Sequence, residues 1–288
     1  MNARNRRIAL SLFVLPGLLL YGSLVLYPTA RAFYLSAFQW QGLSAKTFVG
    51  LANYQYLIDS RIFRSSLLTT LNYMLVNVPV QIGSAYVLAY LLYTGVKGLR
   101  FFRFLFFLPC VLLSVAVGYI FDLLLNPWFG FLQPLGALLG TQLASPLGTP
   151  ALALYAVIFV DWWQWLGYKI MLFFAGFQNM SPEVLEAAAI DGSSAANTFF
   201  RIVIPLSWET LAMVTIMLVI GSLRVFDLIF IMTQGGPNHA TEVLTLHMFI
   251  TAFEKLNFGA GSAVAVILFV VSLTITIAVR TVLRRDLY

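Results

Sequence analysis

The chain reads as an all-α transmembrane protein with six membrane-spanning helices, on three observations. Of its 288 residues, 60% are hydrophobic and 10% charged, and the mean hydropathy is +0.89; a soluble globular domain carries roughly 25% charged residues. Charge-free runs at 8–30 and 67–96 exceed the roughly 20 apolar residues that cross a bilayer core. The basic residues behind the formal charge of +6 flank apolar runs and form no basic face, so they report membrane topology and not nucleic-acid binding. Cys110 is the only cysteine, which excludes an intrachain disulfide and leaves the redox compartment open.

Hydropathy and helix breakers place the spans near 8–30, 67–93, 104–125, 151–177, 209–233 and 258–280. Arg4, Arg6 and Arg7 precede the first, as in a signal peptide. Its apolar core is longer than the roughly 7–15 residues of a signal sequence, and no small-residue cleavage site follows, so it is read as a retained helix. Pro16 and Pro28 are expected to bend or end it. In the loop 31–66, the segment from Gly42-Leu43-Ser44 to Phe48-Val49-Gly50-Leu51-Ala52-Asn53-Tyr54 reads as a turn leading into a short amphipathic helix. Residues 126–150, with Pro127, Pro134, Pro146, Pro150 and four glycines, read as an irregular connection. The chain divides on this reading into 1–66, a first helix with its loop, and 67–288, a core of five helices.

Lys and Arg set the orientation. With the N-terminus inside, Arg4, Arg6, Arg7, Lys97, Arg100, Arg103, Arg201, Arg280, Arg284 and Arg285 fall inside, against Arg31, Lys46, Arg61, Arg64 and Lys255 outside. Both termini and the long loop 178–208 are then cytoplasmic. That loop is patterned. Ser181-Pro182-Glu183 is a helix start with a serine cap, a proline in the first turn and an acid on the helix dipole. An Ala-rich helix follows over 184–190, Asp191-Gly192 breaks it, a second short helix runs over about 194–201, and Pro205 stops the chain before the fifth span.

Glu186-Ala187-Ala188, then Gly192, then Ile202 and Pro205 resemble the cytoplasmic loop signature of membrane subunits of binding-protein-dependent ABC importers, with Ile204 where leucine is usual. The Phe48–Tyr54 segment and Phe226-Asp227 with Thr233-Gln234-Gly235-Gly236-Pro237 resemble segments of the maltose and glycerol-phosphate type sugar permeases. The resemblance implies a type I, MetI-like six-helix permease with a cytoplasmic coupling-helix loop. It implies that Glu186, Ala187, Ala188, Asp191, Gly192, Ile202 and Pro205 couple to a separate ATPase. It also implies a second homologous permease subunit, a pair of ATP-binding subunits, an extracytoplasmic solute-binding protein, a carbohydrate substrate and a bacterial-type inner membrane.

Ionisable residues inside a span are functional candidates. Asp161, Gln164, Trp165 and Tyr168 recur at helical spacing in the fourth span, and Leu218, Ser222, Arg224 and Asp227 follow in the fifth. Such a mixture suits a polyol: donors and acceptors for hydroxyls, and aromatic planes for a sugar ring. The resemblance places the substrate path along these same stretches and adds Gly221. Blander readings stand beside these. Trp162, Trp163 and Trp165 could form an interfacial belt, Arg224 and Asp227 could neutralise each other or gate the outside end, Asp122 could be interfacial, and Lys169 could snorkel inward.

No enzyme activity is expected. The chain lacks a Gly-x-x-x-x-Gly-Lys-Ser/Thr phosphate cradle, since Gly95-Val96-Lys97-Gly98 has neither the spacing nor the hydroxyl. His239 and His247 are the only histidines and read as surface polarity, so neither a metal nor a cofactor is implied. Two other classes stay open. An ion-coupled secondary transporter or channel would use Asp122, Asp161 and Asp227 as a relay but leave the patterned loop idle; a membrane scaffold would leave the polar faces without purpose.

Overall fold

The computed structural model describes residues 13–42, 45–95, 99–126, 128–141 and 143–284. Arg4, Arg6, Arg7, Lys97 and Arg285 of the topology reading, the turn residues Leu43 and Ser44, and Pro127 lie outside the described residues, as does the side chain of Arg100. Two compact units result: one runs to Phe63 and resumes over His247–Val270, and the other comprises Arg64–Leu246 and the chain from Val271 onward.

In the first unit, α1 (Phe13–Ser36) continues six residues past the expected end. Pro28 does not stop it. A π turn over Gly22–Leu26 supplies an extra residue ahead of the ring, and the Thr29 hydroxyl donates to the Val25 carbonyl at 2.7 Å. Strands β1 (Phe38–Gln39) and β2 (Thr47–Phe48) pair antiparallel with Phe38 opposite Phe48, and α2 (Ala52–Asp59) follows. Asn53 fastens this hairpin to the end of α1, its amide donating to the carbonyls of Ser36 at 2.8 Å and Phe38 at 2.9 Å. Gly259 comes so close that a Cβ there would strike the Phe38 carbonyl. His247, expected at the surface, is buried with its ring 5.8 Å from that of Phe63.

In the second unit, α3 (Arg61–Tyr93) enters from the first unit. The expected single span at 104–125 is two helices, α4 (Leu99–Val111) and α5 (Ser114–Leu125), bent by 92°. Pro109 removes a backbone donor just before the break, and Leu113 turns to extended backbone. At membrane depth the freed polar groups need partners within the protein. Gln164 provides them: its amide donates to the Leu112 carbonyl at 3.1 Å and the Ser114 hydroxyl at 3.2 Å. Helix α6 (Leu132–Leu138) lies in the stretch expected to be irregular.

Helix α7 (Pro150–Gln178) leads into the loop helices α8 (Pro182–Ile190) and α9 (Ala195–Leu206), then α10 (Trp208–Leu223) and α11 (Asp227–Met232). Helices α12 (Leu244–Glu254) and α13 (Phe258–Leu283) each run across the division between the units. Among the described residues, four helical stretches are long and apolar enough to cross a bilayer: α1, α3, α10 with α11, and α13. The bent α4–α5 pair makes five if it counts as one span. Helix α7 is long enough but carries Asp161, Gln164 and Lys169 inward, so a count of six rests on adding it to the apolar set.

Candidate functional site

A cavity of about 350 Å³ opens between α3, α7, α10 and α11, within the second unit. Helix α7 presents Asp161, Trp165 and Tyr168 to it; α10 presents Leu218, Gly221 and Ser222; Arg224 and Asp227 stand where α10 gives way to α11. Gln164 is not among the lining residues. It is wholly buried, and at 3.6 residues per turn it lies about 60° around the helix from Asp161, on the side of the α4–α5 break that it caps. Sequence reasoning missed Tyr73, Asn77 and Gln81 of α3, which line the opposite wall. The signal was available: Asn77 and Gln81 are one turn apart in a run otherwise rich in apolar residues, and neutral amides inside a span mark a polar face as charges do.

The polar end of the cavity is a four-residue network. Asp161 Oδ2 accepts from Asn77 Nδ2 at 2.9 Å and from Gln81 Nε2 at 2.8 Å. Asn77 also donates to Ser222 Oγ at 3.2 Å, and its Oδ1 accepts from Gln81 at 3.0 Å. The carboxylate ties α7 to α3, and Asn77 extends the network to α10. Among the described residues Gln81 Oε1 has no hydrogen-bond partner although it is buried. Arg224 and Asp227 are exposed and form no ion pair with each other, contrary to the neutralising reading. Lys169 reaches inward: it is buried and lines the cavity beside Trp165 and Tyr168.

The three clustered tryptophans do not form a belt. Trp162 donates to Ser84 Oγ on α3 at 2.8 Å, Trp163 packs edge-on to Phe121 of α5 with centroids 5.3 Å apart, and Trp165 faces the cavity. Gly167 lets the same helix approach α4 so closely that a Cβ would strike the Phe106 carbonyl. Asp122 is on α5 and does not line the cavity.

Below the cavity, α8 and α9 form the patterned loop. Ser181 occupies the cap position of α8, but its hydroxyl meets the Glu183 carboxylate at 3.4 Å and caps no backbone donor; Ser194 caps α9 by accepting from Asn197 N–H at 3.3 Å. Gly192 has φ +74°, and the Ser193 and Gly192 amides return to the Ala188 and Ala189 carbonyls, a left-handed helix end that glycine adopts without strain. Glu186, Ala187 and Asp191 are exposed, as is Ile190 at 86%. Ala188 is buried, and with Asp191, Gly192 and Ile202 it lines an open hollow between the two helices.

The second arm is set into the core. Phe199 packs against Tyr86 and Tyr90 of α3 at centroid distances of 5.6 and 5.0 Å, and Tyr86 in turn meets Phe173 and Phe177 of α7 at 5.1 and 5.0 Å. Val203 is wholly buried, and the Tyr86 and Ser207 hydroxyls are 2.5 Å apart. Pro205 stands one residue before the helix end at Leu206, ahead of the next helix at Trp208. A π turn over Phe199–Val203 takes up the missing hydrogen bond.

These features define a multi-pass membrane protein with a polar internal cavity and a loop anchored at one arm and open at the other. No protein-family model matches the chain. It is 34% identical over 271 residues to the probable ABC transporter permease protein YurN of Bacillus subtilis, covering 92% of each chain. It is 35% identical to the multiple sugar-binding transport system permease protein MsmF of Streptococcus mutans, covering 90% of this chain and 89% of that one. The permease of a bacterial ABC transporter for import of the acidic polysaccharide alginate shares the fold, with a TM-score of 0.87, 18% identity and coverage of 99% and 98%. The chain belongs to the permease subunits of ABC transporters. It is a transport subunit and not an enzyme, and these relatives do not favour an ion-coupled carrier.

Proposed function

We propose that the chain forms half of the translocation path of an ATP-driven, binding-protein-dependent importer of sugars or related polyols. The observation that carries this reading is the continuity of the loop with the cavity. Phe199, Val203 and Ser207 lock one arm onto α3 and α7, and those two helices supply Asn77, Gln81 and Asp161 to the cavity wall. A load applied at exposed Glu186, Ala187 and Ile190 therefore has a packed route to the polar residues. Asp161, Trp165, Tyr168, Leu218, Gly221, Ser222, Arg224 and Asp227 form the substrate path; Gln164 holds the broken span together beside it.

The partners are a second homologous permease, a pair of ATP-binding subunits seated against the α8 face, and an external solute-binding protein. The relatives that support this include the trehalose/maltose transport system permease protein MalF of Thermococcus litoralis, 30% identical over 278 residues. Both termini and the loop 178–208 lie in the cytoplasm of a bacterial-type inner membrane, and residues 67–288 form the permease core behind the first helix and its loop at 1–66. The test is to replace Glu186 with Lys and measure uptake together with recovery of the ATPase subunits in the purified assembly. Loss of both is expected; parent-level uptake and recovery would remove the coupling role.

A further inference from the structure

The two buried charges on α7 are treated differently by their surroundings. Asp161 accepts from two amide donors, whereas Lys169, 7% exposed, has its ammonium 5.2 Å from the Trp165 ring centroid and 5.7 Å from that of Tyr168. Among the described residues no carboxylate comes within ion-pair reach of it. Asp161 lies eight residues back, about 12 Å along the axis, and acts on the ammonium through space without touching it. A buried ammonium without an ion-pair contact is costly, and two ring faces offset only part of that cost. Both groups line the same cavity. A ligand entering it meets an acid already engaged and an ammonium with donors to spare.

We propose that Lys169 is a specificity-determining residue that receives the carboxylate of an acidic sugar. This rests on the carbohydrate reading above and narrows it to a chemical class. A single carboxylate, as on a uronic acid, is the sugar substituent that meets one buried ammonium; Arg224 stands on the same wall but is exposed, at the turn between α10 and α11. The aromatic pair cradling the ammonium supplies apolar faces for the adjoining sugar ring, and the Asn77, Gln81 and Ser222 end takes the hydroxyls of the far end.

The experiment is equilibrium binding to the purified permease–ATPase assembly. The probes are radiolabelled disaccharides in gluco, galacto and manno series, each neutral and with one C6 oxidised to the carboxylate. In at least one series the acidic probe is expected to bind about tenfold more tightly than its neutral counterpart, the scale of a hydrogen bond to a charged group. Lys169→Gln should bring that ratio near one, and Lys169→Arg should keep most of it. Recovery of the ATPase subunits at parent yield separates this change from misassembly, and Lys169→Met, which keeps an apolar stem, carries the same expectation where Lys169→Gln does not assemble. Neutral probes binding as well as acidic ones in every series, or a ratio that survives Lys169→Gln, would overturn the proposal and leave the sugar reading standing. Binding of neither kind in any series would remove both.

Discussion

Asp161 organises the cavity because it is the acceptor on which two buried amides converge. Removing it by Asp161→Ala leaves one N–H of each amide, Asn77 and Gln81, without its acceptor, each at about 1–3 kcal/mol. Thermal unfolding of the assembly in detergent should show a clear loss, and Asp161→Asn should lose less because its carbonyl keeps one acceptor. Equal loss in both would mean the charge matters and the hydrogen bonds do not. Gly167 carries a different sensitivity. Gly167→Val drives side-chain atoms into the Phe106 backbone and should cost about 1–3 kcal/mol by overpacking, read in the same melt. At this scale the sequence was legible where helical spacing governs, as for Asp161, Trp165 and Tyr168. It was not legible for Gln164, since a face read from spacing has no sharp edge and nothing local announces that a neighbouring helix is broken. Asn77 and Gln81 escaped because the run that holds them was read only for its length and lack of charge.

The loop behaves as a bent lever with one arm set in aromatic packing. Gly192→Val forces a β-branched residue to φ +74°, which costs about 1–3 kcal/mol and favours another loop geometry. The expected outcome is a membrane-inserted chain that recovers far less ATPase partner on affinity purification, with little change in the melt of the core. Tyr86→Phe removes only the hydroxyl that meets Ser207, about 1 kcal/mol, and should lower uptake per ATP without displacing the ATPase. The loop's outline was readable from Pro182, the alanines and Gly192, since start and stop signals are local. Its attachment was not. Phe199, Val203 and Ser207 look unremarkable in sequence, and the π turn that carries the helix through Pro205 depends on packing against α3. The break between α4 and α5 was likewise hidden, because hydropathy averages over a 92° bend as readily as over a straight span.

For the molecule as a whole, apolar composition announced the membrane and the loop signature announced the family, whereas the number and straightness of spans needed three dimensions. Orientation is open to a direct check. In a Cys110→Ser background, Asp191→Cys on the exposed loop should react with an impermeant maleimide only when the cytoplasmic face is accessible. Labelling of intact cells would reverse the assigned topology. The central claim, that the anchored arm carries work from the ATPase to the cavity, is tested most directly by the uptake-to-hydrolysis ratio of Phe199→Ala in proteoliposomes holding the complete assembly. The account predicts that ATP hydrolysis persists while solute moved per ATP falls about tenfold, the scale of removing about 1.4 kcal/mol of coupling; an unchanged ratio would contradict it.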